Sequence, residues 1–234
     1  YQLKKQGLKN VIWYGSPDAK YFYANVEFKP EACEFDVLVD GKKLTRVTIP
    51  IFGLYNVENA LSVFALAHQL GWDQEKVLEG FRTFKGVKRR QEIIGAPRNI
   101  TVIEDFAHHP TAVKVTLDGV KQRFAQSRVF AVFEPRSATS RRSIFQKDYV
   151  TAFTGADVTV MSQPFNASVL KEDDKLSSDL IVSELKEKGQ EAYTMTTPEE
   201  IVEFLKEKSR PGDVILLMSN GAFGGIYQKL LAAL

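Results

Sequence analysis

The sequence predicts an α/β protein whose larger part is a mostly parallel sheet, and three observations predict it. From Gln91 onward, short apolar runs alternate with segments of helical period, the pattern of a parallel sheet covered by helices on both faces. Before Phe84 the chain reads as strands joined by turns, then as two helices. Between these stretches, Phe84-Lys85-Gly86-Val87-Lys88-Arg89-Arg90 is small and basic, the composition of a boundary. Two domains are therefore read, 1–86 and 87–234, the second with a core sheet of roughly five or six strands.

The elements follow in order. Val11-Ile12-Trp13-Tyr14 is an apolar run closed by the turn Gly15-Ser16-Pro17-Asp18, and it reads as a strand. Residues 21–28 are aromatic and β-branched. Residues 34–39 and 43–49 flank Asp40-Gly41, a strong hairpin signal. At Asn56 the period changes: Val57, Ala60, Leu61, Phe64, Ala67 and Leu70 lie at helical spacing up to Gly71. A second helix is read over 73–82. Beyond the boundary, strands are expected at 91–94, 100–103, 129–133, 158–161, 192–194 and 214–218. Helices are expected at 110–124, 143–153, 178–187, 198–208 and 225–233.

Bulk composition removes several functions. A 44% hydrophobic and 26% charged chain of 234 residues is of ordinary globular type. A net charge of +2 makes no electrostatic case for nucleic acid. The single Cys33 excludes an internal disulfide and a cysteine-based zinc site, and predicts a reducing, cytoplasmic compartment. No apolar run reaches the roughly 18 residues of a membrane span, so no membrane partner is expected. The chain opens on Tyr1 rather than Met, which implies processing or a fragment.

Five constellations carry chemistry. Asp105-Phe106-Ala107-His108-His109-Pro110 sets two of the three histidines where a strand hands over to a helix, the corner at which open α/β sheets bind ligands. The alternative is an acidic-aromatic corner with satisfied histidines. Asn56 and Asn59 stand three apart at a helix start, so their amides share one face. An amide carries both a donor and an acceptor, which suits a purine edge, although capping explains Asn56 as well. Lys88-Arg89-Arg90 offers guanidinium forks to phosphate oxygens, against the plainer reading of a solvated linker. Glu134-Pro135-Arg136-Ser137, followed by Arg141 and Arg142, lies at another strand end and is able to bind a carboxylate. Ser219-Asn220-Gly221, before Gly224 and Gly225, opens a turn whose N–H groups and following helix suit an anion.

Read in order, five motifs resemble those of the Mur ligase family, ATP-dependent enzymes that form amide bonds in the bacterial cell-wall precursor. They are Gly-x-x-Asn-x-x-Asn-Ala at 53–60, Gly-Val-Lys-Arg-Arg at 86–90, Asp-Phe-Ala-His-His-Pro-Thr at 105–111, Phe-x-Pro at 133–135 and Gly-Ala-Asp at 155–157. The resemblance runs from about residue 50 to the end. It implies a Rossmann-like C-terminal domain over 87–234, preceded at 1–86 by the tail of the central, ATP-binding α/β domain. It implies ATP and Mg²⁺ as cofactors, with Asn56 and Asn59 on adenine, Asp105 on ribose and Arg90 on the terminal phosphate. Arg90 and His108 are the implied catalytic residues. His108, His109, Arg136, Ser219, Asn220 and Gly221 border the implied pocket for the amino acid or peptide, and none of these residues is a metal ligand. Tyr55 stands where histidine is common in the family.

Within the family, Glu134-Pro135-Arg136-Ser137 and the segment 218–226 resemble the murein-recycling branch. Its small-molecule substrates are ATP, UDP-N-acetylmuramate and the murein tripeptide L-alanyl-γ-D-glutamyl-meso-diaminopimelate. The L-alanine-adding branch is the alternative, and a non-catalytic nucleotide- or peptide-binding module is the rival of another class. The phosphate loop Gly-x-x-Gly-Lys-Thr does not occur in this sequence. The family's loop, its metal ligands and its nucleotide-sugar domain all lie upstream of this region. The chain is thus read as the C-terminal portion of a ligase, inactive alone. Arg90 and Asp105 are read as exposed loop residues whose replacement harms turnover rather than folding.

Overall fold

Asp40 and Gly41 both take positive φ, 48° and 75°, the backbone of the primed turns that match strand twist. That turn joins two of the three strands β1 (Tyr21–Phe28), β2 (Cys33–Val39) and β3 (Lys42–Ile49), which form an antiparallel sheet in chain order. The computed structural model describes residues 11–29 and 31–234 and divides into two units, residues 1–86 and 87–234. In the first, Tyr21, Phe35, Val37, Val47 and Ile49 cluster with Val57, Leu61 and Phe64 of α1 (Leu54–Gln69). Helix α2 (Gln74–Arg82) is capped by the Asp73 carboxylate, which accepts from the Glu75 and Lys76 amides. Elsewhere in this sheet, buried Asp36 accepts from Asn25 and Arg46 and pairs with Lys43, all at 2.9 Å. Those donors hold its carboxyl well below the usual carboxylate range.

The second unit holds a six-stranded sheet. Its elements are β4 (Glu92–Gly95), β5 (Thr101–Asp105), α3 (Pro110–Arg123), β6 (Val129–Phe133), α4 (Gln146–Phe153) and β7 (Val158–Ser162). They continue as α5 (Ser178–Glu187), β8 (Glu191–Met195), α6 (Pro198–Lys208), β9 (Val214–Met218) and α7 (Ile226–Ala233). The strand order is β4-β5-β9-β6-β7-β8, parallel except for antiparallel β4 at one edge. Strands β6, β7 and β9 are buried at every residue, which is why β6 and β9 read as unbroken apolar runs. Alternation divides their side chains between two cores. Ala131, Phe133 and Met161 join Val113, Leu117 and Ile181 on one face. Phe130, Val132 and Val160 join Ile201, Leu205 and Leu230 on the other.

The last strand inserts between β5 and β6, so the strand order reverses there and polar loops gather at the carboxyl ends of β5, β6 and β9. Among the described residues no helix is long and apolar enough to cross a membrane.

Three local expectations are corrected. Residues 11–14 are not a strand. Only Tyr14 makes an isolated bridge, to Tyr21, and the run's apolar side chains Val11, Ile12 and Tyr14 stand exposed. Helix α1 begins at Leu54, two residues early, because Gly53 at φ 97° turns the chain into it. Residues 143–145 form a 3₁₀ turn before α4.

Candidate functional site

The site is built most tightly at the ends of β6 and β9. Glu134 and Ser219 follow these strands directly, and both are buried. The Ser219 hydroxyl donates to Glu134 Oε2 at 2.6 Å and accepts from the Gly221 amide at 2.9 Å. Glu134 Oε1 receives Arg136 Nη1 at 3.4 Å. The Arg136 guanidinium carbon lies 3.7 Å from the centroid of the Phe165 ring, within cation–π range. A Cβ built on Gly221 would meet Arg136 Cδ and Nε at 2.1 Å, so the arginine passes where a larger residue's side chain would stand.

Ser219 and Gly221 were expected to line a pocket with hydroxyl and amide groups, and this is corrected. Ser219 is fully buried, and its hydroxyl is committed to Glu134 and Gly221. The Gly221 amide is used by Ser219, and its face is covered by Arg136. Asn220 is half-buried, with Oδ1 sealed from solvent and unpartnered among the described residues. Phe223 to Gly225 form a 3₁₀ turn, and the Gly225 amide is bonded to the Ala222 carbonyl. The turn's Gly221 and Gly225 amides therefore close on the protein rather than on an anion.

At the end of β5, Asp105 is 2% exposed, which corrects its reading as a surface residue. Its Oδ1 accepts from the Ala107 amide (2.7 Å) and Thr116 Oγ1 (3.4 Å), and its Oδ2 from the Gln91 amide (2.8 Å). Burial pushes its carboxyl above the usual value despite those donors. His109 is exposed and caps α3: its Nδ1 accepts from the Thr111 amide at 3.3 Å. Its ring meets Phe145 edge-on. The cap engages Nδ1 alone and leaves Nε2 of the exposed ring without a hydrogen bond among the described residues.

His108 is half-buried, with Nδ1 2.9 Å from the Phe106 carbonyl. A carbonyl only accepts, so Nδ1 carries the proton, and the neutral ring keeps its lone pair on Nε2. Tyr149 donates to the His108 carbonyl at 2.6 Å and fixes the backbone there.

The basic triplet divides its work. Arg89, read from the sequence only as one of the triplet, bonds Glu104 Oε1 at 2.6 Å and the carbonyls of Ser219 and Gly221 at 2.9 Å each. It thereby ties the segment before β4 to the ends of β5 and β9. Arg90 is exposed, its guanidinium 5.3 Å from the Phe106 centroid, and it forms no salt bridge among the described residues. In the first unit, Asn56 Nδ2 donates to the Phe52 carbonyl at 2.7 Å, which pins the loop before α1 and is not an N-cap. Asn59 is exposed one turn on. Among the described residues no three His, Cys, Asp or Glu side chains gather into a metal site.

Sequence reasoning missed Phe165 and gave no separate role to Glu134 or Arg89, which it read only within motifs. Glu134 was legible as the first polar residue after an all-apolar strand. Phe165 had no signal, because only the fold brings the loop after β7 to Arg136.

A mostly parallel α/β sheet whose polar loops gather at its carboxyl edge belongs to the class of open α/β domains that bind ligands at strand ends. The family model described as Mur ligase, glutamate ligase domain, matches residues 89–221, and that of the Mur ligase middle domain matches residues 1–67. This chain belongs to the Mur ligase family. It is 32% identical over 212 residues to the UDP-N-acetylmuramate–L-alanine ligase of Clostridium tetani, covering 90% of this chain and 46% of that protein. To the enzyme of that name from Clostridium botulinum strain Hall it is 31% identical over 218 residues, covering 93% and 47%. Among solved structures it is similar to the UDP-N-acetylmuramate-alanine ligase of Thermotoga maritima, with TM-score 0.80 and 25% identity over 94% of this chain and 47% of that one. It is also similar to the murein peptide ligase of Psychrobacter arcticus, with TM-score 0.63 and 29% identity over 94% and 45%. The chain spans about half the length of the curated relatives it matches.

Proposed function

We propose that this chain is part of an ATP-dependent ligase that joins UDP-N-acetylmuramate to the murein tripeptide L-alanyl-γ-D-glutamyl-meso-diaminopimelate in the cytoplasm. The observation that carries the reading is Arg136, braced by Glu134 and Phe165 at the ligand edge of the sheet. A guanidinium so held is a receptor for a carboxylate, and the tripeptide carries several. The branch rests on Glu134-Pro135-Arg136-Ser137 and the segment 218–226, and on the 29% identity to a murein peptide ligase. The 32% identity to an L-alanine ligase favours a second reading, in which the amine is L-alanine.

In this reading residues 1–86 are the end of the central domain and 87–234 the C-terminal domain. ATP would be the source of the phosphoryl group that activates the muramate carboxylate, with ADP released, and phosphate would leave as the amine nitrogen forms the amide bond. Arg90, exposed and in no salt bridge among the described residues, would meet the terminal phosphate, while Asn56 and Asn59 would meet adenine. The described residues do not gather a Mg²⁺ site, and no step is assigned to that ion here. His108 Nε2 would take the proton of the incoming ammonium, and Arg136 would hold the peptide carboxylate. Buried Asp105 would act through the backbone, by fixing the turn that bears His108. This chain alone is expected to be inactive.

The test is amide formation by the full-length gene product with ATP, UDP-N-acetylmuramate and either amine. Preference for the tripeptide supports the first reading, preference for L-alanine the second, and no product from either removes both. Arg136→Ala should raise KM for the tripeptide and leave KM for ATP unchanged.

A further inference from the structure

The segment between β7 and α5 delivers one side chain to the site, the Phe165 ring that lies against Arg136. Phe165 belongs to neither core of the second unit and remains 37% exposed. A singly exposed phenylalanine is ordinary on a protein surface, and what sets this one apart is how it is held. Its backbone is fixed at both polar groups by the loop after β6. The Phe165 amide donates to the Pro135 carbonyl at 2.9 Å, and Arg141 Nη1 donates to the Phe165 carbonyl at 3.1 Å. The two residues that hold Phe165 thus flank Arg136 in the chain, and the ring lies 3.7 Å from the Arg136 guanidinium carbon. Glu134, locked by Ser219, takes Nη1, and the absent Cβ of Gly221 leaves room for Cδ and Nε. Ring, carboxylate and glycine together restrict the plane in which the guanidinium fork points.

We propose that Phe165 is a positioning residue for the amine substrate: it sets the plane of the Arg136 guanidinium, and through it the loop after β7 takes part in substrate selection. The inference rests on the reading of Arg136 as the carboxylate receptor. A planar fork discriminates by direction, so loss of the ring should weaken binding of the carboxylate without touching ATP.

The test uses the full-length protein with Arg136→Ala, Phe165→Leu, Phe165→Trp and the double variant Arg136→Ala/Phe165→Leu, with melting temperatures measured for each. Leucine keeps apolar bulk and removes the π face. Phe165→Leu should raise KM for the amine substrate by roughly 3- to 30-fold, the range a cation–π contact represents, with KM for ATP within about twofold. Phe165→Trp should restore the wild-type KM. Because Phe165 acts through Arg136, the double variant should bind the amine no worse than Arg136→Ala alone. If Arg136→Ala raises the amine KM but Phe165→Leu does not, or if the double variant is additively worse, the role of Phe165 is overturned. If Arg136→Ala itself leaves the amine KM unchanged, the underlying reading of Arg136 falls instead.

Discussion

At the end of β5 the polar groups of Asp105 and His109 turn onto the protein itself, whereas at the end of β6 the Arg136 guanidinium is held between a ring and a carboxylate. Both turns close strands of one sheet, separated only by β9. The first is conspicuous in sequence, with two histidines and a carboxylate in five residues. Its Asp105 ties down two amides, its His109 caps a helix through Nδ1, and its His108 gives Nδ1 to the Phe106 carbonyl. The second is modest in sequence and better built as a receptor, because every group around Arg136 is itself held by another. A dense motif marks a place in the fold, and the hydrogen-bond partners decide which member faces a ligand.

The sharpest way to break this contrast is Asp105→Ala. It leaves the Gln91 and Ala107 amides without their acceptor in a buried setting, at a cost of about 2–4 kcal/mol. Urea unfolding of the 234-residue chain, followed by circular dichroism, measures it, and a loss below about 1 kcal/mol would return Asp105 to the surface class. Arg90→Ala is the counterpart. Stability should change by no more than about 0.5 kcal/mol, as at ordinary surface sites. Turnover of the full-length enzyme should fall by about 100-fold, the loss expected when one preorganised donor to a reacting group is removed. A melting shift large enough to explain the lost activity would make Arg90 structural.

Gly221→Ala tests the receptor. The new Cβ displaces the flexible Arg136 side chain rather than backbone, so stability should fall by less than about 1 kcal/mol while KM for the amine substrate rises. A large loss of stability with KM unchanged would show that the arginine does not need that path.

Two buried aspartates extend the comparison to the separate units, and their pH behaviour should be opposite in sign. Asp36 in the first unit has its carboxyl lowered below its ordinary value of 3.8 by hydrogen bonds from Asn25 and Lys43. Its stabilisation is present above pH 3.8 and is lost as pH falls below it toward the folded value. Asp105 in the second unit is raised by burial. Its contribution is favourable below the ordinary value and is lost as pH rises through the folded one. Both tryptophans, Trp13 and Trp72, lie in the first unit, so tryptophan fluorescence during denaturation isolates Asp36. Asp36→Asn should flatten the acid-side decline there, and an unchanged decline would discount the charged cluster around it. The smallest effect expected is from His109→Ala, roughly 0.5 kcal/mol, the low end for loss of an N-cap, and turnover should be nearly unaffected.

The fold was largely legible because each element carries its own period. The all-apolar runs 129–133 and 214–218 and the helices 178–187 and 198–208 appear at the residues read for them. Residues 11–14 misled, because an apolar run becomes a strand only beside a partner that completes its hydrogen bonds. The site was legible as a set of strand ends rather than as a set of roles. Arg136 and the corner at 105–110 were located, but Arg89 was passed over for its neighbour Arg90 and Phe165 was not seen.

What the sequence alone determined is the alternation of strand and helix, the boundary near Gly86 and the motifs that mark the Mur ligase family, since periodicity and local spacing need no distant partner. Only the tertiary structure decided which polar groups are consumed and which remain available. Asp105 meets Gln91 from 14 residues away, Ser219 meets Glu134 from 85, and Arg89 meets Gly221 from 132. The physical reason is that a charged side chain takes its role from the donors, rings and burial around it, and those arrive from strands far apart in the chain.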